Sequence, residues 1–190
     1  MAKEVMEGNG SFVSDMMEIR RRARRNMEEG AMTDGYRADR KKVVAILNEV
    51  LATEIVCVLR YKRHYFTASG INSEPIAQEF LEHANEEQVH ADLVAQRIIQ
   101  LQGEPNFNPE GLATRSHSEY AEGTNLVEMI KEDLVAERVA VQSYTEIIRW
   151  IGESDPTTRR VMETLLEKEE EHAEDMASLL ATLDPKGAAK

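Results

Sequence analysis

Apolar positions along the chain fall into four long stripes with the three-and-four spacing of an amphipathic α-helix. The first, within residues 37–67, runs through Leu47, Val50, Leu51, Val58, Tyr61 and Tyr65, and the second, within 74–102, through Ile76, Phe80, Ala84, Ala91, Val94 and Ile98. The third, within 125–150, takes Leu126, Met129, Ile130, Leu134, Val141, Tyr144 and Ile148. Asp155 and Pro156 form a cap and first-turn pair for the fourth, which carries Val161, Leu165, Leu166, Met176 and Leu180 and stops before Pro185. Prolines stand only at 75, 105, 109, 156 and 185, so none breaks a stripe. Pro75 falls near a first helical position, where its missing N–H costs nothing.

The connections carry the topology. Short turns join the first helix to the second and the third to the fourth, whereas residues 103–124 hold two prolines and three glycines and no stripe. Helices of about 28 residues are roughly 42 Å long, and a segment of this length can run the whole bundle and leave the second and third helices parallel. The expected fold class is all-α, a four-helix bundle with one long crossover. It occupies residues 37–184, with an extension at 1–36 and a tail at 185–190. In the extension Phe12, Met16, Ile19, Ala23 and Met27 make a stripe of their own, which predicts an amphipathic helix packing on a subunit.

The formal charge of −12 is unevenly placed. The two signs cancel over residues 1–40, so the bundle carries the whole excess; it repels nucleic acid and attracts cations. No apolar run reaches the ~18 residues of a membrane span, and the start MAKEVMEGNG has neither a basic nor an apolar signal region, so a cytoplasmic protein is expected. A single cysteine, Cys57, excludes an intramolecular disulfide and a cysteine zinc cage. A metal has to be held by histidines and carboxylates.

Such residues interrupt every stripe. Glu54 sits among Leu47, Leu51, Val58 and Tyr61, and Glu137 among Ile130, Leu134, Val141 and Tyr144; Glu87 and His90 intrude on the second helix, Glu169 and His172 on the fourth. A Glu and a His three residues apart share one helix face and can converge on one ion. The pattern repeats: 33 residues separate Glu54 from Glu87 and 32 separate Glu137 from Glu169, with a tyrosine seven residues after the first Glu in each half. Four buried carboxylates cannot all ionise together without compensation. Two divalent cations offset them, and neutral imidazoles complete ligand sets suited to iron or manganese. The repeat places Glu54 and His90 on one ion, Glu137 and His172 on the other, and Glu87 and Glu169 between them.

The runs LNEVLATE (47–54), EEQVHAD (86–92), LQGEPN (101–106) and EEEH (169–172) resemble bacterioferritin segments in order and spacing. Residues 43–181 as a whole resemble the bacterioferritin and Dps-like branches of the ferritin-like superfamily. The resemblance implies a ferritin-like bundle with a di-iron ferroxidase centre on Glu54, Glu87, His90, Glu137, Glu169 and His172, residues that are at once metal ligands and catalytic. It implies two iron ions per subunit, Fe²⁺ as substrate, O₂ or H₂O₂ as oxidant, and Fe³⁺ stored in a homo-oligomeric shell. Gln88 stands where bacterioferritins carry their haem-binding methionine, so haem is not expected. Eighteen residues follow His172, too few for a fifth helix, which resembles the Dps-like branch and its twelve-subunit shells. Tyr61, about two turns from Glu54, is expected beside the metal pair and is a candidate catalytic residue.

Other functions use the same features. A manganese catalase or another di-metal oxidase could employ the same six residues, with manganese in place of iron. A structural DNA-coating protein would use the bundle only as scaffold, but the arm holding Arg20 to Arg25 has zero net charge and DNA binding is not expected. Its arginines are read as solvated or paired with acidic neighbours. Of the histidines outside the repeat, His83 is read as a surface or packing residue rather than a partner orienting Glu87, and His64 and His117 receive no role.

Overall fold

The computed structural model describes residues 15–183 and divides, between Tyr36 and Arg37, into two compact units. In the first, Asp15 caps a short helix α1 (Met16–Arg22) by accepting from Met17 N at 2.9 Å. The expected stripe does not run along one helix. α1 ends at Arg22, Asn26 takes a left-handed φ of 47°, and Met27 belongs to a separate 3-10 turn, Met27–Glu29. Arginines at 20, 21, 22, 24 and 25 crowd like charges onto successive turns, which opposes a longer helix. Three of them are paired, Arg21 and Arg22 with Glu18 at 2.5 and 3.7 Å and Arg25 with Asp34 at 3.0 Å. Phe12 and the tail from Pro185 lie outside the described residues.

The second unit is built from α2 (Arg40–Thr67), α3 (Ser73–Gln100), the one-turn α4 (Leu112–Arg115), α5 (Leu126–Ile151) and α6 (Pro156–Leu183). Among the described residues every regular element is helical, as expected. Asp39 caps α2 by accepting from Lys42 N, Asn125 caps α5 by accepting from Glu128 N, and Asp155 caps α6 by accepting from Thr158 N. Asp155 also receives two bonds from Arg97 at 2.9 and 3.1 Å, which ties the start of α6 to the last turn of α3. α3 ends in a Schellman turn: Gln102 N bonds Ile99 O and Gly103 N bonds Ile98 O, with Gln102 at φ 59°. A Cβ on Gly103 would stand 2.6 Å from Val44, so the chain leaves α3 at a place only glycine fits.

α2 packs chiefly on α3 and α5 on α6, and contacts between α3 and α6 and between α2 and α5 join the two hairpins. The crossover runs lengthwise along α2. Asn48 holds Glu104 O and Asn106 N, Thr53 holds His117 N, Arg60 holds Glu119 O, and Arg63 and His64 meet Glu122 O. The order of these anchors carries the chain from the start of α2 to its end, so α3 and α5 run parallel. α4, not foreseen from the sequence, is a single turn inside this segment, opened by Gly111 at φ 70°. On α5 and α6 the buried register is shifted at some positions: Ile147, Ile151 and Met162 are buried, whereas Ile148 and Val161 are only half-buried.

Candidate metal centre

Each long helix delivers its carboxylate to the middle of the bundle, between apolar layers that include Leu47, Leu51, Val94 and Leu165 on one side and Phe80, Ala84, Ile130 and Met176 on the other. Glu54, Glu87, Glu137 and Glu169 are at most 1% exposed, and His90 and His172 are buried with them. Glu54, Glu87, His90 and Glu169 offer ligand atoms within 4.8 Å of one another, and so do Glu87, Glu137, Glu169 and His172. The two sets share Glu87 and Glu169, so these carboxylates lie between two potential ion positions. All six residues singled out from the sequence are therefore brought together.

The distances test whether cations fit. His90 Nδ1 stands 3.2 Å from Glu54, 3.4 Å from Glu87 and 3.1 Å from Glu169, and His172 Nδ1 is 3.3 Å from Glu87 and 3.7 Å from Glu169. Atoms about 2.1 Å from a common ion are separated by roughly 3–3.5 Å, which all but the His172–Glu169 spacing meet. Glu87 Oε1, Glu137 Oε2, Glu169 Oε1 and His172 Nδ1 are buried without a hydrogen-bond partner. Orphaned polar atoms of this kind are costly, and here they belong to the two ligand sets, where cations would satisfy them.

The electrostatics say the same. Burial, then the neighbouring Glu87, pushes the Glu54 carboxyl up to about 8, and burial with Glu87 and Glu169 pushes Glu137 well above the carboxylate range. Glu87 and Glu169 face burial and carboxylate repulsion, yet the close approach of a neighbouring carboxyl and of both histidines draws them down. Burial opposes charge on the two imidazoles, but the carboxylates around them raise His90 far above its usual value and His172 to about 11. Without metal, protons on Glu54, Glu137 and both histidines balance the four carboxylates. Two divalent cations supply the same charge.

Tyrosines cross between the halves. Tyr61 on α2 donates to Glu137 on α5 at 2.5 Å, and Tyr144 on α5 donates a short bond to Glu54 on α2. Burial raises both phenols, so both remain donors. Tyr144 was legible as the second copy of the Glu-to-Tyr interval, yet only Tyr61 was singled out. Glu86 was also missed: its Oε2 takes His172 Nε2 at 2.6 Å, which leaves Nδ1 as the face turned to the carboxylates. Of the two readings of His83, surface or packing, the structure shows packing: the residue is buried. Its ring stacks on His172 with centroids 4.0 Å apart, its Nδ1 lies 3.2 Å from Tyr61 OH, and burial first, then His172, lowers it to about 3. His64 is buried too, between Asp133 and Glu122 O, and His117 sits at the rim beside Glu49. Gln88 is exposed and bonds Asp92 at 3.1 Å.

Four long helices with a single crossover and a central Glu/His cluster able to hold metal define a ferritin-like carboxylate bundle. The chain belongs to the ferritin family: the ferritin-like domain matches residues 44–185. It is 30% identical to the bacterioferritin of Rhodobacter capsulatus over 152 residues, which cover 78% of this chain and 90% of that protein. It is 27% identical to the bacterioferritin of Desulfovibrio desulfuricans over 140 residues, 73% of this chain and 74% of that one. Among solved structures it is similar to a dodecameric thioferritin, a bacterioferritin-related protein of Bacteroides fragilis. The TM-score is 0.75 at 29% identity over 80% of this chain and 92% of the other. No helix among the described residues is long and apolar enough to cross a membrane.

Proposed function

We propose that the protein is a cytoplasmic ferroxidase and iron-storage protein whose dinuclear centre comprises Glu54, Glu87, His90, Glu137, Glu169 and His172. The observation that carries this reading is the pair of ligand sets sharing Glu87 and Glu169. Fe²⁺ is the substrate; two ions give up one electron each, which reduce O₂ to H₂O₂ or H₂O₂ to water. The chain's own part is to hold two ions side by side, exclude bulk water, and release the ligand protons that metal displaces. Glu54 and His90 serve one ion, Glu137 and His172 the other. Tyr61 and Tyr144 orient the two outer carboxylates across the bundle.

Storage needs an enclosed volume that one subunit cannot provide, so the reading includes a closed homo-oligomer. Twelve subunits are proposed, in line with the dodecameric Bacteroides fragilis relative. Haem and DNA are not partners in this reading: Gln88 offers no thioether, and the arginine-rich arm is charge-balanced. Stopped-flow oxidation of Fe²⁺ with light scattering on the same sample tests it. Rapid oxidation above the buffer rate, with Fe³⁺ retained on a twelve-subunit particle, is expected. A stable dimer at micromolar concentration would remove the storage role and favour a di-metal oxidase or manganese catalase, to which the same ligand chemistry is open.

A further inference from the structure

A second cluster of ligand-type side chains lies outside the central six. Glu79 and His83 are one turn apart on α3, and Asp175 is on α6, three residues beyond His172. His83 is 2% exposed. Its Nε2 is aimed at both carboxylates, 3.5 Å from Glu79 Oε1 and 3.7 Å from Asp175 Oδ2. A charge-assisted hydrogen bond would draw such atoms to roughly 2.7–2.9 Å. The observed spacing is longer and leaves room for an ion among the three residues, whose ligand atoms lie within 4.8 Å of one another. The two carboxylates are partly exposed, with side chains at 35% and 45%, so the cluster opens to solvent and leaves coordination positions for water.

We propose that Glu79, His83 and Asp175 form a mononuclear site for a divalent cation of the Fe²⁺, Co²⁺ or Zn²⁺ class, distinct from the central pair. One imidazole and two carboxylates suit these borderline ions better than Mg²⁺, which prefers an all-oxygen octahedron. The site communicates inward through His83. A cation on Nε2 leaves the ring proton on Nδ1, so His83 donates to Tyr61 oxygen, and the Tyr61 hydroxyl donates onward to Glu137. The His83 ring also lies against His172. The outer ion thus sits one side chain from the centre, where it holds Fe²⁺ ahead of oxidation and fixes the tautomer of the histidine touching Tyr61. This role in supply rests on the ferroxidase reading; the site itself does not.

Anaerobic Co²⁺ titration of the full-length protein, followed by visible absorption and by bound metal per subunit, tests the proposal. Wild type is expected to bind three ions. Glu79→Gln/Asp175→Asn should bind two, with unchanged helicity and particle mass, whereas Glu87→Gln/Glu169→Gln should lose the central pair and keep the outer ion. Loss of one ion in the first variant, from a wild type that never fills the centre, would support the outer site and sink the dinuclear reading. Equal metal counts in wild type and Glu79→Gln/Asp175→Asn would overturn the outer site. Should that variant misfold, anomalous diffraction at the cobalt edge from wild-type crystals decides: a peak beside His83 Nε2 is expected, and its absence would contradict the proposal.

Discussion

Two buried polar clusters occupy neighbouring turns of α2 and α5, and they are built on opposite terms. In one, Asp133 takes Arg60 Nε at 2.8 Å on one oxygen and His64 Nδ1 at 2.8 Å on the other, while Arg60 and His64 reach Glu119 O and Glu122 O in the crossover. The chain supplies the counter-charge for that carboxylate and both its oxygens have partners. In the other, four carboxylates meet two imidazoles, and Glu87, Glu137 and Glu169 each keep an oxygen without a partner. A buried charge whose counter-charge comes from the chain clamps the crossover onto the bundle. A buried excess of carboxylate, left partly unsatisfied, calls for charge from outside.

The sharpest break between the clusters comes from removing a carboxylate from each. Glu87→Ala or Glu169→Ala should reduce Fe²⁺ oxidation to the rate in buffer while the metal-free protein stays folded, because the protons shared among the remaining carboxylates and histidines can redistribute; stopped-flow absorbance and calorimetry read the two effects. Asp133→Ala should do the reverse. It strands Arg60 without its carboxylate and should cost about 3–5 kcal/mol in chemical denaturation, with metal per folded subunit unchanged.

pH separates them next. In the metal-free chain Glu54 is raised to about 8 and His172 to about 11, so both bind protons more tightly folded than unfolded. The stability they lend is complete below their unfolded values and drains away as pH rises through about 8 and about 11. The metal-free melting temperature should therefore fall from pH 6 to pH 9, and loading with two divalent cations should flatten the slope; a flat metal-free profile would contradict the proton-for-metal exchange. The smallest expected effect is on the crossed tyrosines. Tyr61→Phe and Tyr144→Phe should each slow oxidation roughly tenfold without changing metal stoichiometry, and identical kinetics would leave them packing roles only.

The convergence of six residues at the centre was readable because each falls on an apolar stripe, where a carboxylate is out of place, and because the halves repeat. The crossover was readable from the length of 103–124 and its lack of a stripe. What was hidden depends on pairing between helices. Nothing local says that Tyr144 serves Glu54 rather than Glu137, or that Glu86, next to an inward Glu87, turns to the rim to hold His172. His64 and His83 look incidental in sequence, since the partners that bury them are 69 residues away in Asp133 and on α6 in His172. Within the described residues the stripe from Met16 to Met27 misled because helical spacing alone takes no account of five arginines within six positions.

A dinuclear centre requires two ions held between Glu87 and Glu169, and anomalous diffraction from crystals loaded anaerobically with Fe²⁺ tests that most directly. Data on both sides of the iron edge should show two peaks per subunit at the centre, roughly 3.5–4 Å apart, one beside Glu54 and His90 and the other beside Glu137 and His172. A single central peak, or none, in crystals that retain the fold would contradict the dinuclear centre, whatever the occupancy at His83.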